Sequence, residues 1–274
     1  MRPAVPSYFD YLIDAFRRGE EGRFVHLGHW DSPPDGPPTA GEFARAQQTL
    51  NERLLDMAAL KDGHAILDIG CGFGGTIDRI NESRRDALLT GINVDPRQLE
   101  ICAEIGARNG NELRWEQADA CSLPFPDHSF DRVLCIEAMF HFSSRRAFFR
   151  EAARVLRPGG LLVASDIVLR HPGEHPSPLA FELDAALQDG FGPWPDLWGA
   201  EGDHEQLGHA AGMRLEHTQD ATRATWPSHR FTVPGDADEH SDPGNSAMRA
   251  AMALRWLHRE GYLTYPYLRF SNAT

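Results

Sequence analysis

Between residues 64 and 168 short apolar runs alternate with amphipathic stretches. AILDIG (65–70) reads as a buried strand and GGTIDRINES (74–83) as a helix. LLTGINV (88–94) is the next strand, and PRQLEICAEIGARN (96–109) the next helix, with proline in its first turn. LRWEQAD (113–119) and RVLCIEA (132–138) are further strands. RRAFFREAARVL (145–156) is a helix with Phe148, Ala152, Val155 and Leu156 on one face, and RPGG turns the chain into LLVASDIV (161–168), a fifth strand. Strands alternating with helices predict a parallel, doubly wound sheet.

Outside this stretch the pattern changes. YFDYLIDAF (8–16) sets Phe9, Leu12, Ile13 and Phe16 at helical spacing, with Gly19 and Gly22 to end the helix. A polar, proline-rich loop follows, HLGHWDSPPDGPP, then a helix carrying Phe43, Ala46, Leu50, Leu54, Met57 and Ala58 on one face. After Val168 prolines and glycines multiply around Phe191, Trp194 and Trp198. EQLGHAAGM (205–213) reads as the last core helix, NSAMRAAMALRWLHRE (245–260) as a C-terminal helix, and RLEHTQDAT with YLTYPYLRF as a closing antiparallel pair. The expected organisation is an N-terminal helical lid with its proline-rich loop (1–40), a core (41–170), an inserted cap with the last core helix and strand (171–240), and a C-terminal helix with the closing strand (241–274). The proline cluster separates residues 1–30 from the core and suits a lid that closes over ligands.

Composition narrows the function. The 274 residues are 41% hydrophobic with a formal net charge of −13, enough apolar material for a core and the wrong sign for a nucleic-acid partner. No membrane-length apolar run occurs, and MRPAVPSYFDYLIDAF has no apolar segment after a basic start, so the expectation is cytoplasmic with no membrane span. The four cysteines lack zinc spacing and any CxxC, so no metal site is expected and they read as reduced core residues.

The most informative segment is LDIGCGFGG (67–75), a strand, a glycine turn and a helix start in that order. Gly70 and Gly72 let the backbone approach a ligand. A dinucleotide would set its pyrophosphate against this loop, where the carboxylate of Asp68 is poorly placed. S-adenosylmethionine (SAM) has no phosphate and carries an ammonium and a sulfonium, which Asp68 attracts; the competing role is a turn cap. At the second strand tip, GINVDP, Asn93 is expected on the ribose hydroxyls with Gln98 beside it, and Asp95 either there or capping the next helix. At the third tip, QADA, the Asp119 carboxylate and Ala120 N–H suit an adenine edge.

In this order and spacing, LDIGCGFGG, GINVDP, QADACSLPFPDHSFDRV and RVLRPGG resemble class I SAM-dependent methyltransferases, strongly over residues 60–168. HLGHWD extends the likeness, since small-molecule members carry a similar His-x-Gly-aromatic-Trp segment over the cofactor. The sequence is similar to the branch holding sugar and natural-product O-methyltransferases and tocopherol and sterol C-methyltransferases. The resemblance implies a Rossmann-like α/β core with a mostly parallel seven-stranded sheet and an antiparallel closing strand, SAM as cofactor, and a small-molecule acceptor. Asn93 departs from the commoner Asp, which puts the ribose contact in question, and residues 171–240 match no known cap.

Methyl transfer to a hydroxyl needs alignment and a base. His141, in EAMFHF, and Asp166, in ASDIV, follow adjacent strand ends and are expected to pair as base and orienter; the resemblance to sugar O-methyltransferases points the same way. Glu137, at the fourth strand tip, is expected to bind the acceptor or support the cofactor pocket, with a salt bridge to Arg145 as its alternative. Trp30 is expected over the methionine end of the cofactor. Phe140, Trp194, Trp198 and Trp226 are candidate walls of an apolar acceptor pocket, with packing as the competing role. C-methylation of an alkene or aromatic ring through cation–π stabilisation, N-methylation, and a SAM-binding regulator without catalysis are the rival readings, and homodimerisation is left open.

Overall fold

The computed structural model describes residues 5–6, 8–173, 177–199, 203–233, 235, 237–238 and 240–273. The expected lid and cap therefore include positions 1–4, 7, 174–176, 200–202, 234, 236 and 239 that lie outside the described residues.

The alternating pattern yields strands β1 (Ala65–Ile69), β2 (Leu88–Asn93), β3 (Glu112–Gln117), β4 (Phe130–Ile136) and β5 (Leu156–Ser165). Short β6 (Val168–Leu169), then β7 (Met213–Asp220), β8 (Leu263–Thr264) and β9 (Pro266–Asn272) follow. Seven strands form one sheet in the order β3-β2-β1-β4-β5-β9-β7, while β6 and β8 pair separately. β9 runs antiparallel to both neighbours, β5 and β7, and the pairs among β1–β5 are parallel. Every residue of β1 is buried, as a central parallel strand covered on both faces must be.

The helices are α1 (Tyr8–Arg17), α2 (Ala40–Met57), α3 (Gly75–Ser83), α4 (Pro96–Cys102), α5 (Arg145–Val155), α6 (Leu183–Phe191), α7 (His204–Ala210), α8 (Thr222–Thr225), α9 (His229–Thr232) and α10 (Ser246–Arg259). Local chemistry explains their starts. Thr39 and Glu42 form a capping box on α2, and the Ser144 hydroxyl accepts from Ala147 N at the head of α5. Buried Phe43, Ala46, Leu50 and Leu54 carry the inward face of α2.

Two expectations on element bounds are corrected. The helix expected over 96–109 stops at Cys102; beyond it the Gly106 carbonyl is held by Asn81 Nδ2 at 3.0 Å, and Asn109 takes φ +55°, which a helix cannot accommodate. RPGG is an excursion inside β5 rather than a turn before it. Phe130 pairs with Leu156 and Arg132 with Leu161, so four residues bulge out opposite one, with Gly159 at φ +74°.

The helical part of the expected cap is not separate from the C-terminal helix. α6 lies so close to α10 that a Cβ on Gly190 would stand 2.3 Å from Ala250 Cβ. At the other end of the chain, α1 docks through Ile13, Leu12 and Phe16 on Phe73 and Ile101, and an Asp10–Arg97 ion pair of 2.5 Å ties it to α4. No described helix is long and apolar enough to cross a membrane.

Candidate active site

A cavity of about 1080 Å³, its mouth included, opens at the carboxyl ends of β1–β4, beneath α1 and residues 23–26. Ligands bind there in open α/β sheets because loops after the strands face a common crevice. The glycine turn builds one wall. Gly70 N and Cys71 N both donate to Ile92 O at 3.0 Å, and Gly70 and Gly72 adopt φ +76° and +53°. A Cβ at Gly70 would sit 2.5 Å from Ala138 Cβ, so glycine is needed for backbone conformation and for space alike.

Three strand tips supply the polar groups. Asp68 is 2% exposed, lines the cavity, and its Oδ2 has no hydrogen-bond partner among the described residues. Burial raises its pKa to about 7. At the β2 tip, Asn93 Nδ2 donates to Gln98 Oε1 at 2.9 Å and Asn93 Oδ1 accepts from Asp95 N at 3.1 Å, with Asn93 and Gln98 on the wall. Asp95 is the α4 cap: its Oδ1 accepts from Arg97 N at 3.0 Å, its carboxylate is gripped by the Arg97 guanidinium, and it is absent from the cavity lining. Asp119 and Ala120 line the β3 side, where Asp119 Oδ1 accepts from Cys121 N at 2.8 Å. An unpaired buried carboxylate suits a cationic ligand, and a donor–acceptor pair at the next tip suits ribose hydroxyls. The residues therefore fit SAM.

Glu137, at the tip of β4, has φ +49°. Its Oε2 accepts from Leu27 N at 2.9 Å and from the Tyr265 hydroxyl at 2.5 Å. Burial pushes its pKa up to about 7 against these hydrogen bonds. The expected alternative pairing with Arg145 does not form, because Arg145 is engaged by Asp166 and Asp196.

The expected His141–Asp166 dyad is corrected by the geometry. Asp166 is fully buried and accepts from Arg145 Nε at 2.8 Å, with His204 Nε2 at 2.9 Å. Burial alone would raise its pKa, but the Arg145 charge and the His204 contact bring it below the ordinary carboxylate value. His141 has other partners: Nδ1 lies 3.0 Å from Pro193 O, and Nε2 lies 2.9 Å from the Tyr8 hydroxyl. Burial lowers the imidazole pKa to about 4. Two adjacent strand ends do converge, but the intervening side of Asp166 is taken by an arginine from α5 and a histidine from α7.

The tryptophans are corrected as well. Trp30 donates to Ser228 Oγ at 3.0 Å and does not line the cavity. Trp194 is 1% exposed and packs on Phe140, ring centroids 4.4 Å apart. Trp198 lies edge-on to His171 with its indole N–H 3.3 Å from Asp184 Oδ2, and Trp226 packs on His229 and His258. Large aromatic area is buried effectively by packing against other rings, and Trp194, Trp198 and Trp226 do so in the cap. Phe140 does line the cavity. Tyr8, His26 and Tyr265 also belong to this region, and local pattern does not single them out: Tyr8 lies in an amphipathic helix, His26 shares the HLGHWD segment with Trp30, and Tyr265 is 128 residues from Glu137.

Comparison with known proteins agrees with this geometry. Residues 67–164 match the model of a methyltransferase domain. The chain is 35% identical over 234 residues to methyltransferase GfsG of Streptomyces halstedii, covering 84% of this chain and 80% of that protein. It is 34% identical over 209 residues to a 27-O-demethylrifamycin SV methyltransferase of Amycolatopsis mediterranei (strain S699), covering 76% and 72%. The crystal structure of the mycolic acid cyclopropane synthase CmaA1 complexed with SAH and CTAB shares the fold, with a TM-score of 0.76 at 20% identity over 97% of this chain and 99% of that one. Fold, cavity and relatives together place the chain in the class I SAM-dependent methyltransferases, in their natural-product branch.

Proposed function

We propose that the chain methylates a hydroxyl oxygen of a small natural product and that His141 takes up the hydroxyl proton. One observation carries this reading. A carbonyl oxygen only accepts, so the contact with Pro193 O puts the proton on His141 Nδ1 and leaves Nε2 as a bare lone pair. That lone pair already receives a hydroxyl, the phenol of Tyr8, at 2.9 Å. The imidazole faces the same cavity as Asp68 and Asn93. The relative named for 27-O-demethylrifamycin SV supports oxygen as the atom methylated.

SAM supplies an electrophilic methyl on its sulfonium. The chain aligns the acceptor against it and removes one proton. With its pKa near 4, His141 is neutral and able to accept at physiological pH. The Phe140 ring packs tilted against the imidazole, with centroids 4.1 Å apart. Asp166 acts at one remove, holding Arg145 and, through it, Asp196 of the cap. Glu137 joins the Leu27 N–H to Tyr265 and so ties the N-terminal segment to the β4 tip.

Labelled SAM incubated with the protein and extracts of its own organism tests the assignment. The expected product carries the label on oxygen. Label on carbon moves the reaction to the alkene or aromatic class, and binding of SAM with no transfer moves it to a regulatory role.

A further inference from the structure

Residues 23–26 have no regular structure, yet they are held as a roof over the glycine turn. Gln47 Nε2, from α2, donates to Phe24 O at 2.9 Å and to His26 O at 2.8 Å. The roof touches the turn: a Cβ on Gly72 would meet Val25 Cγ2 at 3.2 Å, and one on Gly75 would meet the Phe24 ring at 2.8 Å.

His26 lines the cavity from this roof and is 7% exposed. Its Nδ1 lies 2.7 Å from Leu27 O, an acceptor only, so Nδ1 carries the proton and Nε2 is a lone pair. Nε2 has no hydrogen-bond partner among the described residues. A buried acceptor left unpaired carries a desolvation penalty that a ligand donor removes. Asp68 Oδ2 is a second such acceptor on the same cavity. The Asn93–Gln98 pair occupies the ribose corner and Asp119 the adenine corner, so the portion of SAM left for the glycine turn and its roof is the methionine end. Its ammonium group carries three N–H donors.

We propose that His26 is a cofactor-recognition residue whose Nε2 accepts a hydrogen bond from the α-ammonium of SAM, sharing that group with Asp68. Neutrality of the ring is part of the fit, since a protonated imidazole would repel the ammonium. Burial holds the His26 pKa near 4 and keeps the ring neutral.

The test uses S-adenosylhomocysteine (SAH) and its analogue with hydrogen in place of the α-amino group, titrated calorimetrically into wild type and His26→Phe. His26→Phe should weaken SAH binding about tenfold, the scale of one such hydrogen bond, and leave the analogue's affinity unchanged. Equal weakening of both ligands would make His26 a packing residue, and unchanged SAH affinity would give its lone pair to the methyl acceptor; each overturns the proposal. If the variant does not fold, nitrogen-15 spectra of the wild type decide. The His26 Nε2 resonance should move upfield with SAH and stay in place with the analogue, and equal movement with both would overturn the proposal. None of these readouts depends on which atom the enzyme methylates.

Discussion

The two halves of the cavity treat their polar groups differently. On the cofactor side, Asn93, Gln98 and Asp119 have partners within the protein, but Asp68 Oδ2 and His26 Nε2 are buried without partners among the described residues. Toward the end we propose for the acceptor, Glu137 and His141 on the wall, and Asp166, which is not part of the wall, are each hydrogen-bonded to the protein, through Tyr265 and Leu27, Tyr8 and Pro193, and Arg145 and His204 respectively. A site with orphan acceptors is preorganised for a ligand that supplies donors. A site whose groups are mutually satisfied must exchange a contact before a ligand gains one. The cofactor half is thus ready to bind, and the acceptor half is closed by the chain's own side chains, Tyr8 foremost.

The sharpest break of this contrast is His141→Ala. Loss of a general base typically costs about 100- to 10,000-fold in rate. We expect kcat to fall by that order while SAH affinity, measured calorimetrically, barely moves; retained turnover on the product-identified acceptor would remove His141 from the chemistry. The wild-type rate should stay insensitive to the imidazole between pH 7 and 5 and fall only near its pKa of about 4, because protonation of Nε2 destroys the acceptor.

Next in size is Arg145→Ala, which leaves the Asp166 carboxylate buried without its cation. Removing one partner of a buried pair costs about 3–5 kcal/mol, to be read from urea unfolding. Asp166 has a folded pKa below its ordinary value, so its contribution to stability is present above that ordinary value and is lost as pH falls through the folded one. The variant should therefore show a weaker fall of stability on acidification than wild type. If its stability at neutral pH matches wild type, the acceptor half is not held by this pair.

Asp68 offers a smaller, pH-linked effect. Its raised pKa, about 7, makes the carboxyl partly protonated in the free protein at neutral pH, and a cationic ligand favours the carboxylate. SAM affinity should fall as pH drops from 8 to 6, with proton release on binding visible as a buffer-dependent calorimetric heat at pH 6.5. Asp68→Asn should abolish that release. Burying this carboxyl also removes stability from the free protein as pH rises through about 7, so SAH should raise the Tm more at pH 8 than at pH 5.

Smallest is Tyr8→Phe, which removes the phenol from His141 and keeps the ring packed against Phe191, with centroids 5.4 Å apart in wild type. If Tyr8 merely holds the acceptor's place, kcat should change by no more than a few-fold and KM for the acceptor should fall. A loss of kcat as large as that of His141→Ala would instead make the phenol a participant.

Much of this was legible beforehand. Short apolar runs between amphipathic stretches located the five strands of the parallel half, and the glycine turn located Asp68, Gly70 and Gly72 on the cavity wall. Asn93, Gln98, Asp119 and Ala120 are there too, because each ends its strand or follows it within a few residues and the sheet order brings those tips together. Contacts between distant segments were not legible. Tyr8 with His141 spans 133 positions and Tyr265 with Glu137 spans 128, and no local pattern encodes such pairs.

The sequence by itself determined the strand–turn–helix order, the family and the cofactor corner, since backbone geometry and local polarity act over a few residues. Tertiary structure alone decided the partners of the charged groups at the acceptor end. Asp166 went to Arg145 and His204 rather than His141, and the tryptophans went to the packing of the cap. The physical reason is competition. A buried carboxylate takes the strongest cation within reach and a large ring takes the most apolar surface, and what lies within reach is set by how the helices and loops pack on the sheet.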